Sequence, residues 1–404
     1  MIIIILLKTY SSEKASKLNR INSNITIELD LNTSDISNIS NISNILTKDN
    51  STEMIEKEEN KIREIEIQKG LNFLDKCKKG SLNSNEKFIK SEEPKITVVL
   101  PVYNCEDTIK RAIRSIQYQN MKEIEIIIVN DFSREILKKI IEEMAKEDQR
   151  IIIMNNDKNM GMLYSRSIGV LESKGKYILS LDCDDMFLED NVFNIIYEEA
   201  EKNKYDIISF KVFDYLTSNN IKDDYFTDKI NNSIIIQPEL SNTNNISPNN
   251  IVIWGKLIKS EVYKKAVYSL GKAIYTNYVN WDEDVCINFV ICQFAQSYKF
   301  VEKYGLFHFI YTGGSSSREK DKSKMFSEIF LLDIIFDFSI NKTKNMTLQK
   351  LMEMKRYKFF NLSDEKNKAY FISVVKKILN SKYIDKKDKE DIRKIYEDIL
   401  ILNQ

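Results

Sequence analysis

The sequence predicts an α/β chain centred on a mostly parallel, doubly wound sheet, and three observations carry that expectation. Between Lys95 and Leu181 four apolar runs, ITVVLPVY, IEIIIVND, RIIIMN and KYILSL, alternate with three stretches of helical spacing. The runs are largely unbroken, as strands buried on both faces of a parallel sheet are. Strands and helices in strict alternation, joined by right-handed crossovers, make the doubly wound unit. In such open sheets ligands bind beyond the carboxyl ends of the strands, where strand order reverses. The loops there, Pro101–Glu106, Asn130–Ser133 and Asp182–Asp185, are polar or acidic.

Taken in order, residues 1–50 read as a low-complexity, disordered tract in which SDISNISNISNI is a three-residue repeat. The opening MIIIILL is too short to span a bilayer, and neither a basic region nor a small-residue cleavage site flanks it. Sequons such as Asn32-Thr33-Ser34 arise in that tract from composition alone. Residues 51–93 form a helical extension: Met54, Ile55, Ile62, Ile65, Leu71, Phe73 and Leu74 lie among charges, and Gly80 ends the pattern. This extension packs on the domain that follows, residues 94–317. There, Asn104 caps a helix carrying Ile109, Ala112, Ile113 and Ile116, and further helices run over about 135–148 and 161–173. YDIISFKVFDY is a later strand, residues 217–250 an Asn-rich insertion, and LFHFIY a strand in which His308 is structural. Residues 318–404 are a helical extension covering one face of the domain.

Composition narrows the chemistry. The chain has 404 residues, enough for two or three domains, and its 43% hydrophobic content permits a sizeable core. Lys+Arg and Asp+Glu are both 60, so charge gives no argument for nucleic acid or an anionic membrane. Five cysteines without a CxxC pair, and a single histidine, argue against a zinc site and a disulfide framework; reduced, buried thiols are expected.

The stretch KYILSLDCDDMF concentrates the chemistry. A strand runs into Asp182, Asp184 and Asp185, and the alternation of side chains points Asp182 and Asp184 the same way. Two carboxylates about 4 Å apart repel by about 4 kcal/mol at an effective dielectric near 20. A divalent cation such as Mg²⁺ or Mn²⁺ relieves that cost. A solvated acidic turn is the bland alternative.

In order and spacing, LPVYNCEDTIKRAIRSI, EIIIVNDFS, NMGMLYSRSIGV, GKYILSLDCDD, WGKL, WDEDV and GLFHFIYTGGSSS resemble the family 2 glycosyltransferases over about residues 95–317. These are inverting enzymes with a GT-A type nucleotide-sugar-binding fold. The resemblance implies that Pro101, Val102 and Tyr103 line the nucleobase pocket, with Glu106 near the ribose. It places Asp131 on the base and Arg166 by base and diphosphate. Phe132 stands where the family more often has glycine. Asp182 would contact ribose or metal, and Asp184 would hold the Mg²⁺ or Mn²⁺. Asp185 would cap a helix beginning near Glu189 or add a water-mediated ligand. Trp254 and Trp281 would shape the sugar and acceptor pocket. Asp284 would be the general base with Glu283 orienting substrate, against the plainer reading of Asp282, Glu283 and Asp284 as first-turn acids of a helix. Ser315–Ser317 would form a polar loop over the diphosphate.

The function this implies is metal-dependent transfer from a nucleotide-sugar donor, a UDP-sugar by preference, to a hydroxyl of a glycan, lipid or protein. A cytoplasmic or membrane-peripheral location fits. A processive synthase is disfavoured because the chain has no QxxRW motif, and a sugar nucleotidyltransferase because PVYNCED is not a Gly-rich phosphate loop. A binding module that kept the fold but lost catalysis is the remaining alternative, hinted at by the altered NDFS loop.

Overall fold

A computed structural model describes residues 48–80, 82, 88–217, 225–227, 252–311, 322–339 and 364–401. The low-complexity tract, most of the Asn-rich insertion, the Gly313–Ser317 loop and residues 340–363 of the helical extension lie outside the described residues. The chain divides into two units, Met1–Glu64 and Ile65–Gln404. Helix α1 (Lys48–Lys79) begins in the first. In the second, its Phe73, Leu74 and Cys77 are buried with Phe213, Tyr304 and Phe307, as expected for an extension that packs on the domain.

The alternating pattern forms as anticipated: β1 (Ile96–Val102), α2 (Ile109–Gln117), β2 (Ile124–Asn130), α3 (Glu135–Glu147), β3 (Ile151–Asn155), α4 (Met162–Glu172) and β4 (Tyr177–Ser180). Then follow β5 (Met186–Phe187), α5 (Val192–Asn203), β6 (Ile207–Thr217), β7 (Tyr225–Thr227), β8 (Lys256–Lys259), α6 (Ser260–Leu270), α7 (Ala273–Thr276), α8 (Glu283–Phe294) and β9 (Tyr298–Tyr311). Helices α9 (Lys322–Ser339), α10 (Glu365–Asn380) and α11 (Lys386–Ile401) close the chain and share an apolar core around Phe371. No helix among the described residues is long and apolar enough to cross a membrane.

The strands form one sheet in the order β3-β2-β1-β4-β8-β6-β9-β5, with β7 on β6. Strands β1 to β4 are parallel, as their unbroken apolar runs require. Beyond β4 the sheet is mixed: β8 is antiparallel to β4 and β6, β6 and β9 run parallel, and β5 is antiparallel to β9. The parallel character is therefore confined more tightly than the sequence suggested. Both faces are covered. Ile96, Val98, Leu100 and Val102 pack with α2, α3 and α5, while Val99 packs with α4, α6 and α8. Gly169 lets α4 lie close, since a Cβ there would stand 2.6 Å from Val99 Cγ1.

The chain steps from β1 to β2 to β3 on one side, then returns to place β4 on the other, so the strand order switches between β1 and β4. Pro101 opens this point. Val102 O accepts from Asp131 N (2.9 Å) while Val99 O accepts from Leu181 N (3.1 Å), so successive residues of β1 address β2 and β4 in turn. The missing N–H of Pro101 therefore falls on the β4 side, where pairing ends at Val99 and Ser180 while pairing with β2 continues to Val102. A crevice at the carboxyl ends of β1 and β4 follows from one residue that cannot donate.

Candidate active site

Three loops meet at this crevice. The loop after β1 and the loop after β2 interlock through Ser133 and Asn104. Ser133 N donates to Asn130 Oδ1 (3.0 Å), Asn104 N donates to Ser133 Oγ (3.2 Å), and Arg134 N donates to Asn104 Oδ1 (3.0 Å). Asn104 is thus a loop clasp and not the helix cap expected of it. The α2 N-cap position is Thr108, whose side chain makes no cap bond.

Phe132 has φ of 62°. A glycine would adopt that left-handed conformation freely, whereas an L-residue with a side chain pays about 1–2 kcal/mol. The fold keeps the loop geometry and leaves the Phe132 ring outside, 59% exposed. Of the residues expected to line a base pocket, Tyr103 is exposed at the crevice. Val102 is not available, because its side chain is wholly buried in the core, and Pro101 is a buried strand residue. Strand alternation turns Val102 inward, a constraint that the motif alone does not display.

Glu106 has one carboxylate oxygen engaged and one not. Its Oε2 accepts from Arg134 Nη2 (2.8 Å), and its Oε1 is buried with no hydrogen-bond partner among the described residues. Asp131 is differently employed than expected. It is buried, its Oδ1 accepts from Asn156 Nδ2 (2.7 Å) and Met160 N (2.7 Å), and its Oδ2 accepts from Gly161 N (2.8 Å). It holds the turn after β3 against the end of β2, leaving little capacity for a ligand.

Arg166 assembles the rest. It projects from α4, is 1% exposed, and its Nη2 donates to Asp182 Oδ1 (2.9 Å) and Glu283 Oε1 (3.2 Å). One guanidinium thereby joins the acidic turn after β4 to the first turn of α8, residues 117 positions apart from it in the second case. Its Nε and Nη1 are buried without acceptors among the described residues. Burial opposes the charge on Arg166, yet Asp182 and Glu283 outweigh it and raise its pKa. Glu283 is pushed up by its own burial, and Arg166 pulls it back only in part.

Beside it, Asp284 is raised to about 7, first by burial and then by the neighbouring charge of Glu283. Its Oδ1 accepts from Val285 N (2.8 Å). Asp282, at the N-cap position with φ of 52°, makes no side-chain cap bond. Asp282 therefore does not cap α8 through its side chain, while Glu283 in the first turn faces Arg166.

In the acidic turn, Asp184 is raised by burial and then by Asp182. Arg111, stacked 3.9 Å over the Phe309 ring, donates to the Asp184 carbonyl and fixes the turn. Asp185 does not cap a helix: α5 begins at Val192 with Asn191 at its N-cap. Instead Asp185 is fully buried, accepts from Phe309 N of β9 (2.9 Å), and leaves Oδ2 without a partner among the described residues. His308 packs face to face on Trp254 (centroids 4.7 Å, 19°), and its positive charge would lower both Asp184 and Asp185. His308 thus packs on Trp254, as a structural residue does, and lies near the acidic turn. Trp254, 9% exposed, lies beneath it, while Trp281 is covered by Lys324 Nζ at 3.7 Å from its ring centre.

Two cysteines were misjudged from sequence. Cys77, Cys286 and Cys292 are free and buried, but Cys105 and Cys183 form a disulfide, Cα–Cα 6.4 Å, between the loop after β1 and the acidic turn. Strand order makes neighbours of residues 78 apart in sequence, and no local motif signals it.

The sheet and its switch point form a GT-A type fold. Residues 97–265 match the family model described as "Glycosyl transferase family 2". Glycosyltransferase GlyA of Streptococcus pneumoniae is 28% identical over 194 residues, 46% of this chain and 28% of GlyA. A GalNAc(5)-diNAcBac-PP-undecaprenol beta-1,3-glucosyltransferase of Campylobacter jejuni is 32% identical over 96 residues, 24% of this chain and 31% of that protein. The chain thus matches less than a third of the length of either relative. The fold is similar to that of TarS from S. aureus in its crystal structures with UDP and with UDP-GlcNAc. Both superpose with a TM-score of 0.52 at 14% identity, over 76% of this chain and 89% of that one.

Proposed function

We propose that the chain is a metal-dependent, inverting glycosyltransferase that moves a sugar from a nucleotide-sugar donor, a UDP-sugar by preference, to a hydroxyl of a glycan, lipid or protein. The observation that carries the reading is Arg166. A single buried guanidinium links the acidic turn to Glu283, the neighbour of Asp284, and keeps two donors unengaged at the centre of the crevice. The UDP and UDP-GlcNAc complexes of TarS, which shares the fold, support the donor class.

In this reading Tyr103 faces the base, Glu106 offers its unpartnered oxygen to a ribose hydroxyl, and Arg166 directs its open N–H groups at the diphosphate. Among the described residues no three acidic, histidine or cysteine side chains gather as a ready-made metal cage. The donor set still fits Mg²⁺ or Mn²⁺, since such ions are commonly held by one or two carboxylates together with substrate phosphates. Asp184 and Asp182 would hold the ion, and the burial that disfavours charge on Asp184 is relieved by a cation. The metal would supply neutralisation of the charge that develops on the departing diphosphate. Asp284 takes the proton of the acceptor hydroxyl, a task suited to a carboxylate whose pKa lies near the working pH.

The readings of a non-catalytic module and of a nucleotidyltransferase gain nothing from the site. The NDFS loop keeps its clasped geometry, and burial with the Glu283 charge raises the carboxyl of Asp284 to about 7, which supports a role as base. A thermal-shift panel of UDP-, GDP-, CDP- and TDP-sugars tests the proposal. Stabilisation by at least one donor is expected in the presence of MnCl₂ and is lost with EDTA or in Asp184→Asn. A panel without any shift contradicts it.

A further inference from the structure

The disulfide Cys105–Cys183 crosses the point where the sheet opens. Cys105 follows β1 and Cys183 follows β4, the two strands between which strand order switches, and the bridge spans 78 residues of chain. Each sulfur sits among the groups assigned to the donor. Cys105 is flanked by Asn104, which clasps the loop after β2, and by Glu106, whose Oε1 is buried and unpartnered. Its carbonyl also accepts from Thr108 N (3.1 Å) and Ile109 N (3.0 Å), tying the loop to the start of α2. Cys183 is flanked by Asp182, held by Arg166 at 2.9 Å, and by Asp184, whose carbonyl Arg111 holds. Both cysteines are half-buried and pack against the main core.

We propose that this disulfide is a redox-controlled lock on the donor site, so that the oxidised chain binds nucleoside diphosphate more tightly than the reduced chain. This rests on the reading of the crevice as a donor site. The bridge fixes the separation between the Glu106 side and the Asp182–Asp184 side of one ligand, and a crosslink that holds a binding geometry lowers the ordering cost of binding. A dithiol reductant opens it by thiol–disulfide exchange. The S–S bond breaks, two electrons and two protons pass to the sulfurs as two thiols, and the dithiol leaves as its own cyclic disulfide. The 104–106 loop and the acidic turn are then joined only by non-covalent contacts. Arg166 and Arg111 still hold the acidic turn and Asp284 lies outside the bridge, so the effect falls on donor affinity more than on turnover at saturating donor.

Two measurements on the full chain test this. Alkylation of the denatured, unreduced chain should label three thiols, Cys77, Cys286 and Cys292, and five after reduction. Calorimetric titration of UDP in MgCl₂ should show affinity falling roughly tenfold on addition of dithiothreitol. The Cys105→Ser/Cys183→Ser variant, or Cys105→Ala/Cys183→Ala if the first does not fold, should show the weak value in both conditions. Five labelled thiols before reduction, an affinity indifferent to dithiothreitol, or an equal response in the double variant would each overturn the lock. If UDP, GDP, CDP and TDP all fail to bind in either redox state, the donor-site reading falls with it, an outcome distinct from tight but redox-indifferent binding.

Discussion

Asp284→Asn should lower sugar transfer by roughly 10²–10⁴-fold while leaving nucleoside diphosphate binding intact, the loss expected when a positioned general base is removed. The variant keeps shape and hydrogen-bonding capacity but cannot take a proton. The pH dependence is equally specific. Since burial and Glu283 raise Asp284 to about 7, the wild-type rate should climb with pH through that region and level off above it. Stability should run the other way. A carboxyl whose folded pKa is raised favours its protonated form in the native state. Its contribution is therefore full below the unfolded value near 4 and is lost as pH rises through about 7. Asp284→Asn removes that loss, so the variant should melt at a higher temperature than wild type at pH 8 and lose the advantage at pH 5. Slower but more stable is the signature of a residue kept for chemistry. Near-normal turnover in the variant would remove Asp284 as the base.

Arg166→Met should be the most damaging single change for the fold of the site. It leaves Glu283 buried without its counter-charge and frees Asp182 from α4. Breaking a buried pair from one side costs about 3–5 kcal/mol, a large share of the stability of a typical domain. The deficit should be smallest at acid pH, where Glu283 is protonated, and should grow as pH rises. Adding Glu283→Gln to Arg166→Met removes the stranded charge and should recover most of the stability without recovering transfer. A urea-unfolding double-mutant cycle reads this coupling. Equal destabilisation by the single and double variants would show that Arg166 acts by packing alone.

The sequence made the parallel half of the sheet legible because unbroken apolar runs have few other uses, and helices α2 to α4 fell between them at the expected spacing. The far half was less readable. β5 is two residues long, and β6 and β9 pair over a distance that no periodicity records. The DCDD turn and WDED were visible as acidic clusters, but their junction through Arg166 was not, because three elements far apart in sequence must first be folded together. Motif reasoning also assigned Val102 and Asp131 to the ligand. Strand alternation turns the first into the core, and the N–H groups of Met160 and Gly161 occupy the second. The Cys105–Cys183 pairing was hidden for a similar reason, since only the strand order β1-β4 makes neighbours of them.

Slow hydrolysis of the donor in the absence of acceptor tests the central claim most directly. Incubated with the nucleotide sugar that stabilises it and with MnCl₂, the protein should release nucleoside diphosphate and free sugar in equal amounts. Early proton NMR spectra should show the freed anomeric carbon inverted relative to the donor, and EDTA should stop the release. Release with retained configuration would contradict single-displacement chemistry at Asp284. Absence of metal-dependent release, while the donor still binds, would leave the crevice a binding site and no more.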